Sequence, residues 1–231
     1  MPIGVITNAS AVFIGGIIGA FLGKYIPKRT EETLTVVFGY CSFALGITSV
    51  MKYSATAPII LAVITGTVIG SLIKLEERIQ NGFRIFLNKL PIPSEHLDMD
   101  RYITVVVIFC TGGLGIFGSL TEGISGDPSL LMSKSVLDLF SAVVFAGTLG
   151  IAVSVIALPQ FLVFGTLFLT AQYIAPFITG DALNNFIATG GVMTLASSLK
   201  VAKIKNIPVG DMIPALILSP FMTKLWELLP F

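Results

Sequence analysis

Histidine is nearly missing from this chain. His96 is the single one among 231 residues and stands in a polar stretch. That excludes HExxH zinc sites, Ser-His-Asp triads and multi-histidine metal centres together. Cysteine is almost as scarce. Cys41 and Cys110 sit isolated in apolar runs, which gives neither metal-ligand spacing nor a disulfide framework, so both are expected to pack as small hydrophobes. Charge is short too. Asp, Glu, Lys and Arg make up 12% of the chain, about half of the roughly 25% usual for soluble domains. A net charge of +1 offers no bulk attraction for nucleic acid, and no basic patch is interleaved with aromatics. No paired-carboxylate or nucleophile–base arrangement stands out, so no enzyme activity, cofactor or metal is expected.

What remains is apolar. Hydrophobic residues form 54% of the sequence, and the mean hydropathy is +0.92. Eight apolar segments can be marked, at 3–26, 34–52, 57–74, 102–118, 132–157, 160–178, 183–200 and 209–229. Most approach the roughly 20 residues that a spanning helix needs. They are continuous rather than alternating, which excludes a β-barrel. The expected fold is therefore all-α: one polytopic membrane domain over residues 1–231, with about eight spans. No Lys or Arg precedes the first apolar run, so it reads as a retained span and not as a cleaved signal.

Basic residues set the expected orientation. One set of connections carries Lys24, Lys28, Arg29, Lys74, Arg78, Arg84, Lys89, Arg101, Lys200, Lys203 and Lys205, and the other only Lys52, Lys134 and Lys224. The positive-inside rule puts the first set in the cytoplasm and both termini outside a bacterial inner membrane. The sizeable loop is 75–101. Within it Leu75, Ile79, Phe83, Phe86 and Leu90 fall on one helical face, ended by Pro91 and Pro93. The expectation is an amphipathic helix in a cytoplasmic loop over 75–93, lying on the leaflet or extending the third span toward a neighbouring subunit.

Glycine is plentiful. Gly15, Gly16, Gly19 and Gly23 in the first span, Gly66 and Gly70 in the third, and Gly147 and Gly150 in the fifth suit close helix packing. Gly112, Gly113, Gly115 and Gly118 crowd into seven residues. Each costs about 1 kcal/mol against Ala in a helix, so a break around 112–118 is expected. It reads either as a binding or conducting site or as a flexible end leading into an outer loop. Two internal similarities, 10–19 with 141–150 and 111–120 with 189–199, raise an inverted repeat as an open alternative.

The expected connection 119–131 contains Glu122, Asp127 and Ser129 and no basic residue. Asp127-Pro128 reads as an N-cap with proline opening the next helix. Lys134 and Asp138 then lie i,i+4 on one face. An ion within a span costs on the order of 3 kcal/mol on insertion scales and usually faces the bundle interior. The rival reading is a lysine snorkelling at the outer surface with Asp138 as its partner. Asn8 is the further polar candidate, early in the first span. Asn185 reads as a cap, and Asp211 with Pro214 as a kink.

The run Gly115-Ile116-Phe117-Gly118, then Glu122-Gly123, Gly126-Asp127-Pro128-Ser129, Lys134-Ser135 and Asp138 resembles the signature of a bacterial integral-membrane family, domain of unknown function 554, the YqgA/YdfK-like proteins. The N-terminal Gly4, Asn8, Ser10, Ala11, Val12, Gly15, Gly16 and Gly19 resemble the start of that family. The resemblance covers essentially the whole chain and implies a multi-spanning inner-membrane protein with no established substrate. Asp211 stands where the resemblance implies an uncharged amide, so it carries no role onto residues 181–231.

The expected function is a transporter or channel for a small solute or ion. Its path would pass Gly112, Gly113, Gly115 and Gly118, with Glu122, Asp127 and Ser129 at an outer mouth and Lys134, Asp138 and Asn8 inside. The alternative is a non-transporting scaffold or sensor subunit. The expected partners are the lipid bilayer and an unidentified small solute or ion, with a homodimer left open.

Overall fold

The computed structural model describes residues 1–87 and 97–228. Among them no strand occurs, and eleven helices follow one another: α1 (Ile3–Leu22), α2 (Lys28–Val50), α3 (Thr56–Leu72), α4 (Leu75–Leu87), α5 (Met99–Thr111), α6 (Gly113–Ser125), α7 (Ser129–Leu149), α8 (Ala152–Val155), α9 (Ala157–Ile174), α10 (Asp181–Val201) and α11 (Ile213–Glu227). The all-α expectation holds. Five stretches are long and apolar enough to cross a membrane: α1, α2, α5 with α6, α7, and α8 with α9. A sixth arises if α3 and α4, bent by 56°, count as one span. About eight spans is thus only roughly matched. α11 has 15 residues. α10 has 21, but many are polar: Asn185, Thr189, Thr194, Ser197 and Ser198 are all buried inside the bundle.

Several span limits differ from expectation, each for a local reason. Helix α6 runs on to Ser125, so 119–125 is helix, and the connection to α7 shrinks to three residues. Gly126 closes α6 in the left-handed region at φ 75°, its N–H donating to the Glu122 carbonyl at 2.8 Å. Gly150, at φ 65°, ends α7 at Leu149, which is why the expected 132–157 segment divides there. Lys74 takes the same left-handed conformation at φ 52° where α3 bends into α4. The apolar stripe of α4 turns toward the bundle: Phe83 and Phe86 pack on the cluster that holds Tyr102, Val106 and Leu149. The rest of the expected 75–93 loop, with Lys89, Leu90, Pro91 and Pro93, lies outside the described residues, as does His96.

Glycine sets how closely the helices approach. Gly15 and Gly19 of α1 and Gly23 just after it meet Leu139, Val143 and Gly147 of α7 in turn, so the two helices run parallel. On α3, Gly66 and Gly70 rest against Ala215 and Asp211, so α3 and α11 run antiparallel. Gly39 and Gly46 lie against Ala202 and Leu195, which sets α2 antiparallel to α10. The two internal similarities do not share one sense. The pair 10–19 and 141–150 falls on parallel α1 and α7. The pair 111–120 and 189–199 falls on α6 and α10, which run antiparallel, with Gly113 at Met193 and Gly190 at Phe117.

Polar bonds gather the helix termini. At one end Arg101, opening α5, pairs with Glu31 of α2 at 3.1 Å. There Glu76 of α4 meets Lys200 of α10 at 2.5 Å and accepts from the Gly210 N–H at 2.9 Å. Asp211 accepts from the Glu76 N–H in return, at 2.9 Å, so the residue expected to kink α11 instead caps α4. At the other end buried Asn185 accepts from the N–H groups of Ser54 and Ala55 at the start of α3 and donates to Thr223 of α11. Its role is to join three helices, beyond the simple cap expected of it.

A methyl group on Gly19 would overlap the Val143 backbone and crowd Ala146, whereas one on Gly165 meets open space. Gly19→Ala is expected to lower stability by about 1–3 kcal/mol through overpacking. Gly165→Ala should be neutral or gain up to about 1 kcal/mol. Thermal unfolding of the detergent-solubilised variants checks this; equal losses would speak against glycine-limited packing of α1 on α7.

Candidate functional site

The central span is interrupted where the glycines are dense. Helix α5 stops at Thr111, Gly112 is extended at ψ 135°, and α6 starts at Gly113. In an unbroken helix the Gly113 N–H would bond the Phe109 carbonyl. Here Gln160 of α9 donates to that carbonyl through Nε2 at 3.3 Å. The N–H groups of Gly115 and Ile116 turn back onto the Gly112 carbonyl at 2.9 and 3.2 Å. The neighbouring glycines are contact points. Gly113 abuts the backbone of Met193 and Thr194, and Gly118 lies on Leu131. Gly115 leaves room for the Phe164 ring and for the stem of Lys134, whose Cε a methyl group there would crowd.

Lys134 and Asp138 face inward. They are 5% and 8% exposed and form a direct ion pair one turn apart on α7, so the surface-snorkelling alternative is not what the fold adopts. The same carboxylate oxygen, Oδ2, accepts two further bonds, both at 2.9 Å: from Asn8 Nδ2 of α1 and from Gln160 Nε2 of α9. Asn8 and Gln160 are fully buried. The Lys134 ammonium also lies 5.8 Å from the Phe109 ring centre and 5.6 Å from that of Phe164, within cation–π range. The amide oxygens Asn8 Oδ1 and Gln160 Oε1 are buried without a hydrogen-bond partner. A cavity of about 60 Å³ touches both members of the ion pair and Gly112, with Thr35, Ser42, Ser141 and Ser197 on its wall. That is room for a few waters.

The other expected site residues are distributed differently. Glu122 is not at an outer mouth. It belongs to α6, is 2% exposed, and its Oε1 accepts from the Gly4 N–H at 2.8 Å, occupying an otherwise free donor at the start of α1. Its Oε2 has no partner. The reason is the continuation of α6 to Ser125, which carries Glu122 back into the bundle. Asp127 and Ser129 do lie exposed in the short turn. Asp127 accepts from the Ser129 N–H at 3.0 Å and from its hydroxyl at 2.5 Å. These two bonds hold the Asp127 carboxyl below its ordinary range. The pair caps α7 and does not meet Lys134 and Asp138.

Gln160 escaped the sequence reading. Its signal was a lone amide in an apolar run, the same signal that marked Asn8, but it stood at an assumed segment boundary behind Pro159. The structure carries α9 straight through it. Phe109 and Phe164 gave no signal, since aromatic residues in a span are ordinary packing groups.

Removing one member of a buried pair strands the other, at a cost of about 3–5 kcal/mol. Lys134→Met and Asp138→Asn should each destabilise the protein strongly. The double variant should cost less than the sum of the singles by about 1–3 kcal/mol. A double-mutant cycle from unfolding in detergent measures this; strict additivity would mean the two groups do not interact.

A model described as "Protein of unknown function (DUF554)" matches residues 3–224. "Uncharacterized protein YqgA" of Escherichia coli (strain K12) is 38% identical over 230 residues, covering 98% of each chain. "Uncharacterized membrane protein YdfK" of Bacillus subtilis (strain 168) is 29% identical over 221 residues, covering 94% of this chain and 93% of that one. No solved structure matches. With a match this complete, over the broken span and its buried ion pair alike, the chain belongs to the DUF554 family of membrane proteins.

Proposed function

We propose that the protein is a transporter or channel for a small solute or ion in the bacterial inner membrane, with both termini outside. The observation that carries the reading is the Lys134–Asp138 pair, buried beside a helix break and touched by a cavity. A buried charge pair is seldom a gain in stability, and ionisable groups inside a membrane mark pathways by default. Non-helical backbone at such depth is tolerated where protein or a wet cavity satisfies it.

The cavity has a direction. Its wall includes Thr35, near the start of α2, and Val201, at the end of α10. These belong to the end where Arg101 and Lys200 lie, the basic and therefore cytoplasmic end. Toward the opposite end Val5, Leu131, Phe164 and Phe168 pack into one cluster and close the way. On this reading the cavity lies on the cytoplasmic side of the ion pair, with Glu122 and Asp127 on the other side.

Reconstituted vesicles test the reading with a panel of inorganic ions, amino acids and sugars. Wild-type protein should carry at least one of them above empty vesicles. Lys134→Ala and Asp138→Ala should each reduce that flux by about tenfold or more, which is about 1.4 kcal/mol on the barrier. Wild-type rates in both variants would eliminate this pathway.

A further inference from the structure

The surroundings of the Lys134 ammonium are those of a receptor for a cation. One carboxylate oxygen and two aromatic faces surround it, and two carboxamides donate to that same oxygen. The carboxamides are oriented by necessity, since their N–H groups must face Asp138 Oδ2 and their oxygens must not. Asn8 Oδ1 and Gln160 Oε1 thus belong to amides whose nitrogens are bonded to that carboxylate. Both are fully buried and unpartnered. A buried carbonyl oxygen without a donor is costly, and two of them in amides bonded to one carboxylate are unusual.

We infer that Asp138, Asn8 and Gln160 form a seat for a small monovalent cation, and that the Lys134 ammonium is its tethered occupant in this structure. The inference rests on the transport reading of the same site and names the class of its solute or coupling ion. Oxygen donors suit a hard cation. The single carboxylate sets the charge: a calcium site gathers several anionic ligands, whereas one carboxylate neutralises one positive charge. The cavity bordering Asp138, about 60 Å³, has room for a bare or partly hydrated ion or a small primary amine.

Exchange is sterically provided for. The stem of Lys134 passes over Gly115, and the lysine also borders the cavity, whose wall carries four hydroxyl-bearing residues. When the ammonium swings into that cavity, Asp138 Oδ2 keeps its two amide donors but loses its cation, and a new positive charge can take that place. Asp138 with its occupant is neutral before and after, while the displaced ammonium keeps its charge and must be solvated by the hydroxyls of the cavity wall. Only the occupant changes, from a tethered cation to a free one.

The test is a binding measurement on the purified full-length protein in detergent, with radiosodium, rubidium tracer and labelled methylammonium as separate probes. Lys134→Met removes the competitor and should bind one of the three about tenfold tighter than wild type or better. Asp138→Asn, alone or combined with Lys134→Met, should bind none. The arm that responds distinguishes an inorganic ion from a small amine. No gain with any probe in folded Lys134→Met overturns the inference. Should that variant fail to fold, wild-type protein decides by its melting temperature. A rise with the cation over a choline control, weakened by Asn8→Ala and by Gln160→Leu, supports the seat; no rise overturns it. Binding and flux fail separately. Binding without flux retires the transport reading and leaves the seat. Flux without cation binding does the reverse.

Discussion

A single carboxylate oxygen, Asp138 Oδ2, draws donors from three helices: Asn8 on α1, Lys134 on α7 and Gln160 on α9. A carboxylate taken out of water survives only when it is paired and fully hydrogen-bonded, so these helices must come close together at this depth. Lipid supplies no hydrophobic force to bring them there. Small residues do the work instead. Gly15 and Gly19 let the α1 backbone touch that of α7, and Gly115 leaves the space that the lysine stem fills. The glycine seams and the ion pair are therefore one design: the first makes the second sterically feasible, and the second makes close approach favourable.

The helix break belongs to the same arrangement. Gln160 Nε2 serves both Asp138 and the Phe109 carbonyl freed at Gly112. One amide group thus supports the buried charge and the interrupted backbone together. Helix α1 is tied to two carboxylates in succession, Glu122 through the Gly4 N–H and Asp138 through Asn8. Gly4 and Asn8 are four residues apart, about 6 Å along the helix axis. Two buried acids are thus both held by the first two turns of the first helix.

Much of this was legible in the residues, and the failures have physical causes. Lys134 and Asp138 share a helical face by spacing alone, Asn8 is a lone amide in an apolar run, and four glycines in seven residues announce a weak helix. Each reading depended on local chemistry. Glu122 was misplaced because Gly123 and Gly126 beside it look like a loop, whereas Gly123 is a helical contact against the Phe168 backbone and only Gly126 turns the chain. The segment expected at 183–200 is α10 despite its polar residues. A helix whose Asn185, Thr189 and Ser198 are wrapped by neighbours needs little apolar surface of its own.

The position of the break also bears on how such a site would open. Helix α6 packs along α9 and across α10, through Gly123 at Ala171 and Gly113 at Met193. Helix α5 lies in a different cluster, where Tyr102 of α5 donates to the Ala152 carbonyl of α8 and Val106 neighbours the α4 residue Leu87. The two halves of one span thus sit in different core clusters, although α7 and α9 touch both, and they join at Gly112, a residue with no side chain to hold it. The ion pair sits at that joint, bonded to both sides: Lys134 over Gly115 of α6, and Asp138 through Gln160 to Phe109 of α5. A change of occupant at Asp138 would act on both halves at once. An unbroken helix with the same charges would give that event nothing to move.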